Sequence, residues 1–159
     1  MSIRNAAKAI IISQGKILLN ECYDEDNGKY FSLPGGGQKV YESLHEAVIR
    51  ECLEETGYSV FPDKFAALYE EICDNKTFRN NYPNYAHKIY HIFVCRLQSE
   101  HRAQPTDIDA MQVKSEWVDI EKLEKIYLLP KAVGDNILNI ISSDTPLYLG
   151  SEHILFNHG

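Results

Sequence analysis

Residues 36–58 read GGQKVYESLHEAVIRECLEETGY, and this stretch predicts the element around which the rest of the chain is arranged. Ser43 and Glu46 have the spacing of a capping box, in which each side chain satisfies a backbone N–H at the start of a helix. Good helix formers follow, and Gly57 stands where a left-handed residue ends a helix. The stretch therefore predicts a helix over 43–56 that follows a glycine-rich segment.

Three glutamates of this predicted helix lie on one side of it. At about 100° per residue, Glu51, Glu54 and Glu55 fall within an arc of roughly 100°. Apolar residues that would anchor the helix to a sheet point in nearly the same direction: Leu44, Ala47 and Val48. The acids therefore extend the inward face. Glu51 and Glu55 repel each other by about 0.2–0.5 kcal/mol in an isolated helix, a cost that a bound cation would reverse.

The glutamates and the glycines before them point to phosphate chemistry. Carboxylate oxygens suit Mg²⁺ or Mn²⁺, and Mg²⁺ is commonly held by a few carboxylates together with substrate phosphates and water. The triple glycine at 35–37 lets the backbone approach a ligand closely. These features predict a divalent-cation site. The alternative is a solvated helix face, which is the ordinary explanation of an acidic cluster.

The remaining chain predicts a layered α/β (α+β) domain with a mixed sheet, spanning 1–159 as a single unit. Apolar or alternating runs predict five strands, at 6–13, 16–22, 65–73, 87–97 and 112–118. A short helix is predicted over 119–125 and a longer one over 130–141, with a polar loop over 74–86. The segment 142–159 fits either a strand or an interface.

Composition narrows the possible functions. There are 16 Lys and Arg against 23 Asp and Glu, so the net charge is −7, which disfavours binding to extended nucleic acid. A small phosphorylated ligand remains compatible through a bound cation. No secretory signal and no apolar segment of membrane-spanning length is present, so we expect a cytoplasmic protein that does not enter membranes. Four dispersed cysteines without a CxxC pair predict reduced core thiols.

The spacing of the glycines, acids and arginine resembles the Nudix box at every fixed position. The matching positions are Gly36, Glu42, Arg50, Glu51, Glu54, Glu55 and Gly57. Cys52 and Tyr58 fill the two positions where the motif has apolar residues. The resemblance covers 23 of 159 residues, and the flanking hairpin and the strand at Trp117 fit more loosely. The chain is thus similar to the MutT-like hydrolases of nucleoside diphosphates linked to a further group X.

The resemblance implies a Nudix-type α/β/α sandwich with a mixed sheet and a loop-helix-loop box. It also implies Mg²⁺- or Mn²⁺-dependent hydrolysis of a pyrophosphate bond. Glu51, Glu54 and Glu55 would bind the cations, with the Gly35 carbonyl completing the coordination shell. Arg50 would orient a box glutamate through an ion pair, and Glu42 would support it.

The general base stays open at this stage. Relatives use either a glutamate of the box or an acid on a loop outside it. Glu51 and Glu54 are the candidates within the box, and Asp107 and Asp109 are the candidates outside it. Two acids in a solvated loop are the alternative for the aspartates. The predicted catalytic residues are Glu51, Glu54, Arg50 and Asp109.

Substrate contacts are predicted from the glycine loop and from the aromatic loop over 75–86. The candidates are Gly36, Gly37, Lys39, Arg79 and Tyr85, with the aromatic ring stacking on a base beside a cation for phosphate. The alternative is that the aromatic loop packs onto the sheet or forms a subunit contact, because aromatics are enriched at interfaces. A homodimer is compatible with the sequence.

Three functions remain open. The leading hypothesis is hydrolysis of a nucleoside triphosphate, oxidised forms included, and the alternative is hydrolysis of ADP-ribose or a nucleotide sugar. A non-catalytic Nudix-fold nucleotide sensor is the alternative of another class, although such a protein would typically have lost box acids that are all present here. The span 72–75, where the family's substrate markers stand, has neither proline nor tyrosine.

Overall fold

The computed structural model describes residues 2–158, so that Met1 and Gly159 of the predicted domain lie outside the described residues. Within these residues, four strands precede the first helix and four follow it. The strands are β1 Arg4–Ser13, β2 Lys16–Asp24, β3 Gly28–Ser32, β4 Gly35–Gly37, β5 Tyr58–Cys73, β6 His87–Arg102, β7 Gln112–Asp119 and β8 Leu147–Ile154. The α-helices are α1 Leu44–Thr56, α2 Lys76–Asn81 and α3 Lys131–Ser142, and a 3₁₀ helix spans Ile120–Lys125.

The strands form one mixed sheet, as predicted. Its order is β3-β2-β1-β6-β5-β8, with β4 paired to β1 and β7 paired to β2. The β1–β6 and β5–β8 pairs are parallel, whereas the other pairs are antiparallel. The short strand β4 consists of the three glycines of the predicted phosphate-binding segment. It pairs with β1, where Lys8 lies opposite Gly35.

Helices cover both faces of the sheet, which confirms the α/β/α sandwich. On one face, α1 packs Ala47, Val48 and Cys52 onto the sheet. On the other face, α3 packs Val133 and Ile137 against residues of β1, β5 and β6. Side chains alternate along β1, so that this strand contributes apolar residues to both cores.

The structure corrects several predicted elements. The predicted loop over 74–86 contains the short helix α2, which Asn75 caps by accepting a hydrogen bond from the Phe78 N–H. Strand β5 begins at Tyr58, because it continues through irregular pairing at the polar residues around Pro62. The ambiguous C-terminal segment forms β8, which adds to the open edge of β5.

Two further predictions concern the chain as a whole. All four cysteines are free and buried, as predicted from their spacing. Between residues 2 and 158, no helix combines the length and the apolar character needed to cross a membrane.

Candidate active site

The capping box and the glycine cap fix the ends of α1 as predicted. Ser43 Oγ accepts from the Glu46 N–H at 3.1 Å, and Glu46 Oε2 accepts from the Ser43 N–H at 2.7 Å. Gly57 has φ 78° and donates its N–H to the Leu53 carbonyl. Both ends are therefore held by local hydrogen bonds, so that the glutamates of the last two turns have a defined direction.

One guanidinium holds three glutamates of the box. Arg50 Nε donates to Glu42 Oε1 at 2.6 Å, and Nη1 donates to Glu51 Oε1 at 2.7 Å and to Glu54 Oε2 at 3.2 Å. Nη2 reaches the Gly37 carbonyl at 3.0 Å, which ties the helix to β4. Hydrogen bonding to Arg50 lowers the pKa of Glu42 to about 2. The arginine thus fixes the geometry of the acids and links them to the glycine strand.

Glu55 is the most deeply placed of the box acids. It is 5% exposed, and its Oε2 accepts from Asn20 Nδ2 and from the Gly35 N–H, both at 2.9 Å. Burial raises the pKa of Glu55 to about 7, against the opposing charge of Lys8. A cation at the second oxygen of this buried carboxylate would favour the ionised form and lower its pKa.

A buried network orients the Asn20 amide. Ser115 Oγ donates to Asn20 Oδ1 at 2.7 Å, so that Nδ2 is the atom directed at Glu55. Gln112 Nε2 donates to the Glu55 backbone carbonyl at 3.1 Å and to Ser115 Oγ at 3.0 Å. Paired strands β2 and β7 therefore bind the C-terminal end of α1 through these hydrogen bonds.

The glycine strand fits closely around these acids. A Cβ atom at Gly36 would lie 2.6 Å from the carboxylate carbon of Glu51, so any larger residue displaces that carboxylate. Gly35 has φ 128°, and its Cβ would overlap the Ala7 carbonyl. The Gly35 carbonyl accepts from Lys8 Nζ at 2.7 Å. The strand therefore requires glycine where it meets β1 and α1.

The donor set fits a hard divalent cation. Glu51 and Glu55 each use one carboxylate oxygen, Oε1 and Oε2 respectively, in the hydrogen bonds described above, which leaves a second oxygen on each. Among residues 2–158, no three His, Cys, Asp or Glu side chains are gathered as a metal cage, and Glu51 and Glu54 are both paired with Arg50. Lys8 already occupies one lone pair of the predicted ligand Gly35 O, so a cation there uses the other.

The raised pKa of Glu55 predicts how the metal-free protein responds to pH. Folding raises this pKa from 4.5 to about 7, so the protonated form is favoured in the folded state. The contribution of protonated Glu55 to the free energy of unfolding is therefore fully present below about pH 4.5. It is lost as the pH rises through 7, and the loss amounts to about 3 kcal/mol. We expect urea unfolding in a chelator to show this loss between pH 5 and 8 in the wild type and not in Glu55→Gln. A parallel loss in both proteins would contradict it.

The loop that carries Asp109, the candidate base outside the box, packs against α1. The loop over 103–109 packs on the C-terminal end of α1, where the Glu54 carbonyl accepts from the Thr106 and Asp107 N–H groups at 2.9 and 3.2 Å. A cleft of about 550 Å³ is lined by both Glu55 and Ile108. Burial raises the pKa of the Cys22 thiol, and the charges of Asp109 and Glu55 raise this pKa further.

The predicted substrate contacts divide into two groups. Tyr85 is linked to the glycine strand, because the Arg4 guanidinium lies 4.7 Å from its ring and packs where a Cβ of Gly37 would stand. Arg79 instead donates to Asp74 and to the Cys73 carbonyl in its own loop. Lys39 is exposed. Within the described part of the chain, no contact joins Arg79 or the Lys39 side chain to the box acids.

Sequence reasoning missed three polar residues of this site. Arg4 begins β1, whereas Lys8 and Asn20 interrupt apolar runs of β1 and β2. The available signal was the alternation of side chains along β1. It places Arg4 and Lys8 on the same face as the buried residues Ala6 and Ile10, and on the opposite face from Ala7. Their roles depend on β4 and α1 folding back on these strands.

Comparison with known proteins identifies the family. The family model described as NUDIX domain matches residues 3–137. "Phosphatase NudJ" of Escherichia coli K12 is 30% identical over 115 residues, which cover 72% of this chain and 67% of that protein. The fold is shared with a NUDIX hydrolase from Nitrosomonas europaea, with a TM-score of 0.67 and 21% identity over 88% of each chain. An ADP-ribose pyrophosphatase from Streptococcus suis has a TM-score of 0.61 and 22% identity over 95% of this chain and 100% of that one.

The family model and the curated relatives therefore show a hydrolase of phosphoric anhydride bonds, a class that generally uses divalent metal ions. The chain belongs to the NUDIX family, which confirms the resemblance carried by the box. Enzymes of this family act on small nucleotide substrates.

Proposed function

We propose that this chain is a Mg²⁺- or Mn²⁺-dependent pyrophosphohydrolase whose substrate is a nucleoside triphosphate, oxidised forms included. The observation that carries the proposal is the Arg50 hub, which holds Glu42, Glu51 and Glu54 beside the glycine strand with Glu55 buried next to it. A non-catalytic sensor needs no such set of charged groups.

The residues divide the chemistry between them. Glu51, Glu54 and Glu55 would hold the cations, and bound cations would neutralise charge on the phosphate oxygens. Arg50 keeps these carboxylates in place. A carboxylate then removes the proton from the attacking water, with Glu51 or Glu54 as the candidate inside the box and Asp109 as the candidate outside it.

Two cations beside the glycine strand support a polyphosphate substrate. Arg4 packs against Gly37 and Lys8 donates to Gly35 O, although the chain as a whole carries a net charge of −7. Gly36, Gly37, Lys39, Arg79 and Tyr85 remain our predicted substrate contacts.

A substrate panel tests the proposal. Release of phosphate or nucleotide is measured from nucleoside triphosphates, their oxidised forms, ADP-ribose, nucleotide sugars, dinucleoside polyphosphates and capped RNA, each with Mg²⁺, with Mn²⁺ or with a chelator. We expect metal-dependent turnover with one triphosphate preferred. Preference for ADP-ribose or a nucleotide sugar would replace the proposed substrate, and inactivity of folded protein that binds one of the panel tightly would replace the enzyme by a sensor.

A further inference from the structure

A second cluster of charged groups is buried on the α3 face of the sheet. Glu71 on β5 and Lys88 on β6 are 1% and 6% exposed, and their Oε1 and Nζ atoms are 3.3 Å apart. The Tyr69 and Tyr90 hydroxyls donate to the same carboxylate at 3.3 and 3.5 Å. The cluster therefore contains two tyrosine hydroxyls in addition to one ion pair. None of its residues belongs to the proposed catalytic site.

The C-terminal tail places an aromatic heterocycle in this cluster. The His158 ring is 3% exposed and stacks on Tyr90, with the ring planes 20° apart and the centroids 6.5 Å apart. The Tyr30 ring meets it edge-on at 6.4 Å. His158 Nε2 lies 2.9 Å from Glu71 Oε2. A flat ring that lies parallel to one aromatic ring and is hydrogen-bonded at its edge resembles the way in which proteins hold a nucleobase.

The tail also supplies acceptors to the lysine. Lys88 Nζ donates to Asn157 Oδ1 at 2.9 Å and to the His158 carbonyl at 3.0 Å. The tail thus presents one nitrogen to a carboxylate and carbonyl oxygens to an ammonium. The lactam edge of guanine, hypoxanthine or uracil presents the same pair, since it has an N–H beside a C=O.

The cluster is continuous with the box through Tyr90. This ring lines a narrow cleft together with Lys8, Ser32 and Leu33, and Lys8 donates to the Gly35 carbonyl at the box. The cleft has a volume of about 10 Å³, so a nucleotide whose base lay against Tyr90 would have to widen it before its phosphates passed Lys8.

We infer that the pocket formed by Tyr30, Tyr90, Glu71 and Lys88 is the base-recognition site for the substrate, that it selects lactam-edged bases, and that His158 occupies it in place of the base. The inference rests on the proposed nucleotide substrate and deepens it. Glu71 accepts the base N–H, Lys88 donates to the base carbonyl, and binding of the base displaces the tail.

The tail is attached in a way that permits this exchange. Leu155 and Phe156, which connect it to β8, are 64% and 54% exposed and bury little apolar surface. Besides accepting from Lys88 Nζ through its side chain, Asn157 accepts from Asn27 Nδ2 at 3.1 Å through its backbone carbonyl. A base that replaces the contacts to Glu71 and Lys88 leaves both charged groups paired.

Binding of nucleoside monophosphates in a chelator tests the inference without catalysis. GMP and UMP carry the lactam edge, AMP and CMP do not, and all four share the phosphate. By calorimetry we expect His158→Ala to bind GMP about tenfold more tightly than the wild type, because the internal competitor is removed, and to bind AMP at least about tenfold more weakly than GMP. His101→Ala, at an exposed histidine of β6, is the matched control and should equal the wild type.

An unchanged GMP affinity in folded His158→Ala, or equal affinities for GMP and AMP, would overturn the inference. Should His158→Ala fold poorly, Asn157→Ala loosens the same tail and is expected to raise GMP affinity about two- to threefold. No gain in that variant would also overturn it. Monophosphate selectivity together with no turnover of any triphosphate would instead remove the proposed activity and leave the base site standing.

Discussion

Glu55→Gln is expected to lose activity while the metal-free protein stays at least as stable as the wild type at pH 8. The glutamine oxygen can accept the same two hydrogen bonds, from Asn20 Nδ2 and the Gly35 N–H, that Glu55 Oε2 accepts. The neutral amide avoids the cost of ionising a carboxyl whose pKa burial raises to about 7. It also removes a charged metal ligand, so we expect kcat/KM to fall by about 10²–10³-fold.

The same change at Glu54 separates the two effects. Its side chain is 28% exposed and pairs with Arg50 Nη1 at 3.2 Å, so Glu54→Gln keeps the hydrogen bond and loses the charge. We expect a comparable loss of kcat/KM with little change in the free energy of unfolding. Steady-state kinetics in saturating Mg²⁺ and urea unfolding in a chelator measure the two quantities.

An exposed glutamate provides the control for both changes. Glu124 lies on the 3₁₀ helix, and Glu124→Gln should leave kcat/KM and stability unchanged. Wild-type turnover in both Glu54→Gln and Glu55→Gln would show that the catalytic metal site lies elsewhere. A large loss of stability in Glu55→Gln would show that its charge, rather than its shape, is what the folded protein needs.

The parts of the site that could be predicted are those whose signals are local in sequence. The ends of α1 depend on Ser43, Glu46 and Gly57, each within a few residues of its partner. The direction of Glu51 and Glu55 follows from helical periodicity alone. A single motif of this kind therefore fixed both the element and the side on which its acids lie.

The parts that could not be predicted depend on contacts between distant residues. Asn20 is 35 residues from Glu55, and His158 is 87 residues from Glu71. In sequence, Asn20 and Lys8 are polar residues in apolar strands, and nothing local indicates which neighbour satisfies them. Arg79 is the opposite case. It was predicted to contact the substrate, and in the structure its guanidinium donates to neighbours in sequence, Asp74 and the Cys73 carbonyl.

Strand β8 was ambiguous for a related reason. Its burial pattern has no fully buried position, since it is an edge strand that, among residues 2–158, pairs only with β5. The apolar alternation by which strands are recognised is therefore weak there. Because β8 pairs with β5, the tail residues that follow it, Asn157 and His158, lie beside Glu71 and Lys88.

Arg50→Ala is expected to reduce stability and activity together. The change leaves Glu42, Glu51 and Glu54 without their shared cation, and Arg50 is only 21% exposed, so we expect the free energy of unfolding to fall by about 3 kcal/mol at pH 7. Because Arg50 lowers the pKa of Glu42 to about 2, its contribution is present above about pH 4.5 and is lost as the pH falls toward 2. The gap between wild type and variant should therefore narrow in acid.

Arg50→Lys distinguishes charge from geometry at the same position. The guanidinium uses three nitrogens to reach three carboxylates and the Gly37 carbonyl, whereas an ammonium is a single point donor. We expect Arg50→Lys to recover less than half of the lost stability and to leave kcat/KM about 10²-fold below wild type, because Glu51 and Glu54 are no longer held together. Arg96→Ala, which breaks an exposed ion pair with Asp63, is the matched control and should cost less than about 1 kcal/mol. Wild-type turnover in Arg50→Lys would mean that a positive charge alone organises the box, and the fixed fork of hydrogen bonds would then have no part in catalysis.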